Sequence, residues 1–269
     1  MRVVVTRPAP EAEAWCRTLR GAGFEAVALP LLAIGPLPET GRAALRAAWA
    51  ELPRYRVVMF VSAAAVQHFF DAAPAGRPWP AGTRAWAPGP GTAAVLARHG
   101  VLPQDTDTPA DAAAQLDSES LWAAAGHRVA PGDAVLIVRG ARSDHDDPSQ
   151  AGHGRAWMAE RLTQAGALVT QLAAYRRGAP RWNASQAADA AALANAGSVW
   201  IFSNSEAIAH LIGLLALHGP ALRQGTAVAT HPRIADTARA AGFARVALAA
   251  AGYEGLAHTL RQLQDESGR

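Results

Sequence analysis

One α/β half is written twice in this chain, and the two copies match without a gap over about 40 residues, which limits the fold to a pair of related halves. Phe60-Val61-Ser62-Ala63-Ala64-Ala65-Val66-Gln67-His68-Phe69 aligns with Phe202-Ser203-Asn204-Ser205-Glu206-Ala207-Ile208-Ala209-His210-Leu211. An offset of 142 places Phe60 on Phe202, Val66 on Ile208 and His68 on His210. The same offset carries Pro90 onto Pro232, Ala93 onto Ala235 and Gly100 onto Gly242. Each copy has the same order: apolar strand, short polar turn, helix, second strand, Pro-containing turn, second helix. A repeat of this length is a half-domain and not a solenoid unit. Paired α/β halves commonly enclose a ligand cleft, so the polar turns of the two copies are where function is sought.

The match extends towards the start of each half. Thr6-Arg7-Pro8 corresponds to Val138-Arg139-Gly140, each after a strand, and Leu19 and Gly23 correspond to Leu162 and Gly166 at an offset of 143. The second copy carries an extra polar loop, roughly Arg142–His153. The repeat alone cuts the chain near residue 130. Two Pro/Gly breaks, at 35–38 and 178–180, suggest a different division, with the middle of the chain inserted into the first domain.

Strands and helices alternate throughout, which predicts parallel sheets. The strands expected are Val3–Thr6, Glu25–Ile34, Arg56–Val61, Arg84–Ala87, Ala134–Val138, Leu168–Tyr175, Ser198–Phe202, Thr226–Ala229 and Arg245–Ala249. Helices are expected at Glu11–Ala22, near Thr40–Ala50, from Ala63, at Thr92–His99, near Asp111–Ala125, at Arg155–Ala165, Glu206–Leu217 and Arg233–Ala241, and from Glu254. No element is predicted between 181 and 197.

Composition removes several kinds of chemistry. Half of the 269 residues are hydrophobic and 17% are charged, which suits a chain with substantial cores. No apolar run reaches the roughly 18 residues that a membrane helix needs. The chain opens directly into a strand rather than a basic-then-apolar leader, so a cytoplasmic protein without a membrane partner is expected. Cys16 is the single cysteine, which excludes a disulfide within the chain and a Cys-rich zinc site. All 25 basic residues are arginine, so there is no lysine for a Schiff base or a phosphate-binding P-loop. With a formal net charge of +3 and scattered arginines, no nucleic-acid surface is expected. Arginine does suit multidentate carboxylate binding.

The candidate binding residues lie where strands hand over to helices: Ser62-Ala63, Gly89-Pro90-Gly91-Thr92, Ser203-Asn204-Ser205 and His231-Pro232-Arg233. Ligands of parallel α/β sheets bind at the carboxyl ends of strands, where helix N-termini offer unpaired N–H groups. Ordinary N-capping by Ser, Thr and Asn accounts for any one of these turns. Their recurrence at one offset favours a binding role for the set. Arg7 and Arg139 follow equivalent strands and read either as carboxylate clamps or as surface residues beside turns.

Other patterns carry less. Gly89-Pro90-Gly91-Thr92-Ala93-Ala94 scans as a dinucleotide fingerprint with Asp105, Asp107 and Asp111 downstream. It does not open a half, and its repeat partner beginning at His231 has no glycine, so no nicotinamide cofactor is expected. Asp144-His145-Asp146-Asp147 with His153 reads as a solvated loop rather than a metal site. His68 and His210 read as partly buried structural residues. Tyr175 ends a strand before Arg176-Arg177 and reads either as a packing residue or as a hydroxyl that lines a cleft. With a reference pKa of about 10, a tyrosine serves as donor or acid rather than base.

Several of these motifs together resemble the uroporphyrinogen-III synthase family. They are Thr6-Arg7-Pro8, the Gly23-to-Pro30 stretch, Phe60-Val61-Ser62 with Val66, Gly89-Pro90-Gly91-Thr92-Ala93, Val138-Arg139-Gly140, Gly154-Arg155, Gly166-Ala167, Ala174-Tyr175-Arg176-Arg177 and Phe202-Ser203-Asn204-Ser205 with Ile208. The resemblance spans nearly the whole chain. It implies two similar parallel-sheet α/β domains joined by a two-stranded linker: residues 1–34 plus 178–269, residues 35–172, and linker strands 28–34 and 171–177. It implies a monomer without cofactor or metal. The implied substrate is hydroxymethylbilane, and the enzymes before and after it in the pathway are candidate partners. The implied reaction is loss of water to an azafulvene, attack by the substituted carbon of ring D, a spiro intermediate, and closure to uroporphyrinogen III with ring D inverted.

By the same resemblance Tyr175 is the catalytic candidate. Arg7, Ser62, Ala63, Gly91, Thr92, Arg139, Gly140, Ser203, Asn204, Ser205 and Arg233 are the substrate-binding candidates. Three places depart from the family pattern. Arg233 stands in a turn that often carries hydroxyls, Pro88 interrupts a strand end, and the loop at 142–153 is long. Two other readings stay open at this point: a non-catalytic relative that binds tetrapyrroles, and a two-domain transferase acting on a nucleotide-activated substrate.

Overall fold

The protein is described from a computed structural model, which covers residues 1–110, 117–142, 153–216, 225–250 and 252–267. It divides into two compact units, Met1–Ala33 with Gly178–Arg269, and Ile34–Arg177.

The first unit holds β1 (Arg2–Val5), α1 (Ala9–Gly21) and β2 (Glu25–Ala28) from the start of the chain. The second unit follows with β3 (Ala33–Gly35) at its boundary, α2 (Glu39–Glu51), β4 (Val57–Phe60), α3 (Ala63–Asp71), β5 (Arg84–Trp86), α4 (Pro90–Arg98), β6 (Thr106–Asp107), α5 (Ser118–Ala125), β7 (Ala134–Arg142), α6 (His153–Gln164) and β8 (Leu168–Gly178). The chain then returns to the first unit with α7 (Ala184–Asn195), β9 (Val199–Phe202), α8 (Ser205–Ala216), β10 (Thr226–Ala229), α9 (Pro232–Ala240), β11 (Arg245–Leu248) and α10 (Gly252–Ser267).

The sheet of the first unit has the order β11-β10-β9-β1-β2 and that of the second β3-β8-β7-β4-β5-β6. Repeat offsets map β9, β10 and β11 onto β4, β5 and β6, and β1 and β2 onto β7 and β8. The five shared strands therefore have one spatial order in both units. Registers agree as well: Val3 faces Val199 as Val135 faces Val57, and Thr226 faces Val199 as Arg84 faces Val57. The units are one fold in two connectivities. In the first, the strand pair that should come last has moved to the front of the chain.

Apolar strands explain the layering. All four residues of β4 and all four of β9 are buried, as expected of central parallel strands covered by helices on both faces. In the first unit Val4, Trp200, Phe202 and Ala227 face α7, α8 and α9, whereas Val3, Val5, Val199 and Ile201 face α1 and α10. In the second, Val58, Phe60, Leu136 and Val138 face α2, α3 and α4, whereas Val57, Met59, Val135 and Ile137 face α5 and α6. The repeated glycines Gly100 and Gly242, at φ of 84° and 89°, end α4 and α9 in the left-handed conformation that closes a helix.

Some sequence expectations need correcting. The expected strand Glu25–Ile34 stops at Ala28, and a separate short strand begins at Ala33. Pro30 lies in the break and has no N–H to continue a ladder. Conversely β7 and β8 run on to Arg142 and Gly178, since each supplies the other's hydrogen bonds through the pair Arg142–Arg177. Helix α7 is absent from the sequence reading. It is alanine-rich, with Leu193 as its one large buried residue, so it shows little amphipathic pattern. Its local signal is a capping box: Asn183 accepts from the Gln186 N–H at 2.9 Å, and Gln186 accepts from the Asn183 N–H at 3.0 Å. Of the expected loop Arg142–His153, Arg142 ends β7 and His153 begins α6, while residues 143–152, and residues 111–116 at the start of the helix expected near Asp111–Ala125, lie outside the described residues.

Strand β6 is fastened by charge. Asp107, 9% exposed, accepts from Arg84 Nη2 at 2.7 Å and from the Trp86 indole N–H at 2.9 Å. That occupies the carboxylate a dinucleotide reading would have placed on a ribose. The indole N–H of Trp200 is equally buried and makes no hydrogen bond among the described residues. Trp86→Phe removes a bond to a charged acceptor, whereas Trp200→Phe removes an unsatisfied donor. Urea unfolding should show the Trp86 variant less stable than the Trp200 variant by about 1–2 kcal/mol.

Candidate functional site

In each sheet the order reverses at one place, between β9 and β1 in the first unit and between β4 and β7 in the second. Parallel α/β sheets bind ligands outside the carboxyl ends of the strands at such a reversal, because the loops on either side diverge and leave a crevice.

In the first unit Thr6 closes the floor of that crevice. Its buried hydroxyl donates to the Ile201 carbonyl at 2.6 Å, joining the end of β1 to β9. Thr6 stands in the same turn as the candidate Arg7, and no local sequence signal marks its bond across the sheet. Arg7 is committed locally: Nε donates to Glu11 Oε2 at 2.8 Å, and the guanidinium lies 4.6 Å over the Trp15 ring. Across the reversal, half-buried Ser203 precedes Asn204, whose Oδ1 accepts the Glu206 N–H at 2.7 Å at the start of α8. Ser205 Oγ lies 3.1 Å from the Thr237 hydroxyl on α9. At the start of α9, His231 Nδ1 accepts the Arg233 N–H at 3.1 Å, which leaves the ring proton of a neutral imidazole on Nε2. Arg233 is half-buried beside it.

In the second unit the candidates gather around Tyr175. Ser62 caps α3, its Oγ accepting the Ala65 N–H at 3.2 Å. The same oxygen lies 3.2 Å from the Tyr175 hydroxyl. Ala63 is the first residue of α3. The β7–β8 ladder shifts register between Arg139 and Gly140, which sets Gly140 opposite Tyr175. A Cβ at position 140 would lie 2.6 Å from the Tyr175 ring, so the phenol rests directly on the glycine backbone. The His68 imidazole stacks on the same ring, with centroids 5.6 Å apart and planes at 23°. Tyr175 is 4% exposed, so its ring is packed while its hydroxyl is bonded.

Arg139 lies inside β7 rather than after a strand, because the ladder with β8 extends past it. Its Nε is buried without a hydrogen-bond partner among the described residues, unlike that of its repeat equivalent Arg7. At the start of α4 the residues divide: Thr92 is buried, and Gly91 is exposed on the first turn. The structure thus joins Ser62, Gly140 and Tyr175 directly within the second unit. It keeps Arg7, Ser203, Asn204, Ser205 and Arg233 on the first.

The lone thiol takes no part. Cys16 is fully buried in the core under α1, and that burial pushes its pKa up, with Glu13 adding to the rise and Arg20 opposing it. Among the described residues no group of three or more His, Cys, Asp or Glu is placed to hold a metal ion, and no helix is long and apolar enough to cross a membrane.

Two α/β units, each with polar turns at its strand reversal, define a two-unit α/β protein of the class that takes ligands at the carboxyl ends of its strands. Residues 13–257 match the HEM4 family, described as uroporphyrinogen-III synthase HemD, and the chain belongs to that family. Among solved structures it is similar to a mutant uroporphyrinogen III synthase from the extremely thermophilic bacterium Thermus thermophilus, at 17% identity over 98% of each chain with a TM-score of 0.58. It is also similar to uroporphyrinogen-III synthetase from Helicobacter pylori 26695, at 16% identity over 98% of this chain and 100% of that one, with a TM-score of 0.52. At such identities these two structures speak for the fold.

Thiol reactivity checks the assignment of Cys16 to the core. The native protein should react with a disulfide reagent such as DTNB at least about 100-fold more slowly than the urea-unfolded chain, since a buried, protonated thiol is a poor nucleophile.

Proposed function

We propose that this protein closes hydroxymethylbilane to uroporphyrinogen III, with loss of water and inversion of ring D. The observation that carries the reading is the family match over residues 13–257. The chemistry of the turns agrees with it. A linear tetrapyrrole with acetate and propionate groups on every ring needs many anion contacts. Helix N-termini at Ser62-Ala63, Gly91-Thr92 and Asn204-Ser205, with Arg139 and Arg233, offer N–H, hydroxyl and guanidinium donors for carboxylates.

In this reading residues 1–34 with 178–269 and residues 35–172 are the two domains, and the stretches 28–34 and 171–177 are the strands that link them. Adjacency of β3 and β8 in one sheet supports such a pairing of the two stretches.

Tyr175 acts on the hydroxymethyl group. The C–O bond breaks as the phenol gives its proton to the departing oxygen, which leaves as water, and the pyrrole nitrogen lone pair fills the vacancy to form the azafulvene. The substituted carbon of ring D attacks that methylene carbon, giving the spiro intermediate. A bond from the spiro carbon to its other methylene then breaks, and this methylene bonds to the free α-carbon of the turned ring. Loss of the proton from that carbon restores the aromatic pyrrole, and the phenolate is the base to which it returns. Because the cationic intermediates react without further help, the protein's work is largely to hold one folded conformation of the substrate. A phenol only 4% exposed and bonded to Ser62 is suited to that, since it is held in place before substrate arrives.

Turnover of freshly generated hydroxymethylbilane, with the porphyrins oxidised and separated as type I and type III isomers, tests the activity. Type III product that scales with protein is expected. Type I alone, at the rate seen without protein, would leave a folded binding protein of this family. Tyr175→Phe should lower kcat by about 10–100-fold, the range of a lost general acid, and an undiminished rate would remove the phenol from the mechanism.

The arginines separate by their present commitments. Arg139→Ala should raise KM by about 10-fold or more, the loss of one charge-assisted carboxylate contact. Arg7→Ala should change KM about 3-fold or less, since Arg7 already serves Glu11 and Trp15. Steady-state kinetics on the two variants reads the difference.

A further inference from the structure

The matched histidines His68 and His210 engage the chain by different means: His210 the segment that follows the edge strand β2, His68 a residue within β8. In the first unit His210 Nδ1 lies 2.7 Å from the Leu31 carbonyl, a contact that places the ring proton on Nδ1. In the second unit the residue met by His68 is Tyr175, one position beyond Ala174, the repeat equivalent of Leu31. There His68 lies face to face with the phenol, 5.6 Å between centroids and 23° between planes. One helix position thus holds backbone in one unit and an aromatic ring in the other.

Among the described residues the His68 ring makes no hydrogen bond, so its contact with Tyr175 is the one specific interaction it has there. Three neighbours then define the phenol. Ser62 Oγ fixes the oxygen at 3.2 Å, the Gly140 backbone supports the ring with no space for a Cβ, and the His68 ring limits its rotation. Ser62 Oγ already accepts the Ala65 N–H at 3.2 Å. If the phenol donates to that oxygen too, both of its lone pairs are used and the serine O–H is left to reach a bound carboxylate. That arrangement holds only while the ring keeps its plane.

We infer that His68 is a positioning residue for Tyr175: by stacking on the phenol it holds the hydroxyl where the departing hydroxyl of the substrate meets it. The inference rests on the reading that Tyr175 assists that departure. It separates His68 from the purely structural role of His210, although the two are identical residues at one repeat position.

The experiment is a double-mutant cycle of His68→Ala and Tyr175→Phe, read by kcat, KM and the type III fraction. In the wild-type background His68→Ala should lower kcat about 10-fold with KM changed less than about 2-fold, the signature of a misplaced group rather than a lost binding contact. In the Tyr175→Phe background it should have no further effect on kcat, because it acts through the hydroxyl that is gone. His68→Phe, which restores a flat ring on the phenol, should recover most of the loss. His68→Leu fills the volume without a ring face and should not. An equal loss in both backgrounds, or full activity of the Leu variant, overturns the inference. Should the Ala variant not fold, the comparison of the Phe and Leu variants in both backgrounds decides in the same way. The outcome is separable from that of the underlying reading: an undiminished Tyr175→Phe enzyme defeats the reading, whereas an equal loss in both backgrounds defeats only the role of His68.

Discussion

Parallel pairing is the constraint on which the other features depend. A strand can pair in parallel with its neighbour only if the chain crosses back over the sheet, so helices connect the parallel strands within each unit and those strands end on the same side. Covering both faces with helices buries the central strands completely, which is why β4 and β9 are uninterrupted apolar runs. It also collects the strand-to-helix turns at one end of each sheet. Ser62, Arg139 and the turn before α4 become neighbours there by topology, as do Thr6, Asn204 and the turn before α9. Site chemistry is a consequence of how a parallel sheet must be wound.

Two copies of the same winding have diverged in what their turns do. In the first unit the end of β1 is closed by the Thr6 bond to Ile201, and Arg7 is drawn onto Glu11 and Trp15. In the second, β7 continues through a bulge, Arg139 keeps a buried donor, and Gly140 makes room for a phenol. The asymmetry follows from the longer β7–β8 ladder, which carries Tyr175 beyond the point where its counterpart chain leaves β2. The Tyr175 phenol is thus supported by a ladder extension on one side and by a helix cap on the other.

Much of this was legible in the residues. The repeat, the alternation of strands and helices, the polar turns and the two Pro/Gly breaks are local or periodic signals, and the elements at Phe60, Ser62, Phe202 and Pro232 lie where they indicate. Helix α7 was not legible, because an alanine-rich segment packs through small residues and leaves no periodic stripe. The division of Glu25–Ile34 at Ala28 and the extension of β7 to Arg142 were not legible either, since strand ends are decided by whether a neighbour supplies hydrogen bonds. At the site, Tyr175, Ser62 and Gly140 were each singled out, but their mutual contact was not, because they come from three separate elements.

The sequence by itself determined the architecture's ingredients: two α/β halves of one pattern, no lysine or disulfide chemistry, and polar turns at the ends of apolar strands. These follow from residue type and spacing, which act over a few neighbours along the chain. Tertiary structure alone decided which of two matched residues does what. Arg7 is paired with Glu11 while the Arg139 Nε has no hydrogen-bond partner among the described residues, and His210 holds a carbonyl where His68 holds a ring. Identical side chains at equivalent positions differ in role because their surroundings are assembled from other elements, as the separation of 179 positions between His210 and Leu31 illustrates. Packing sets such distances where sequence spacing does not.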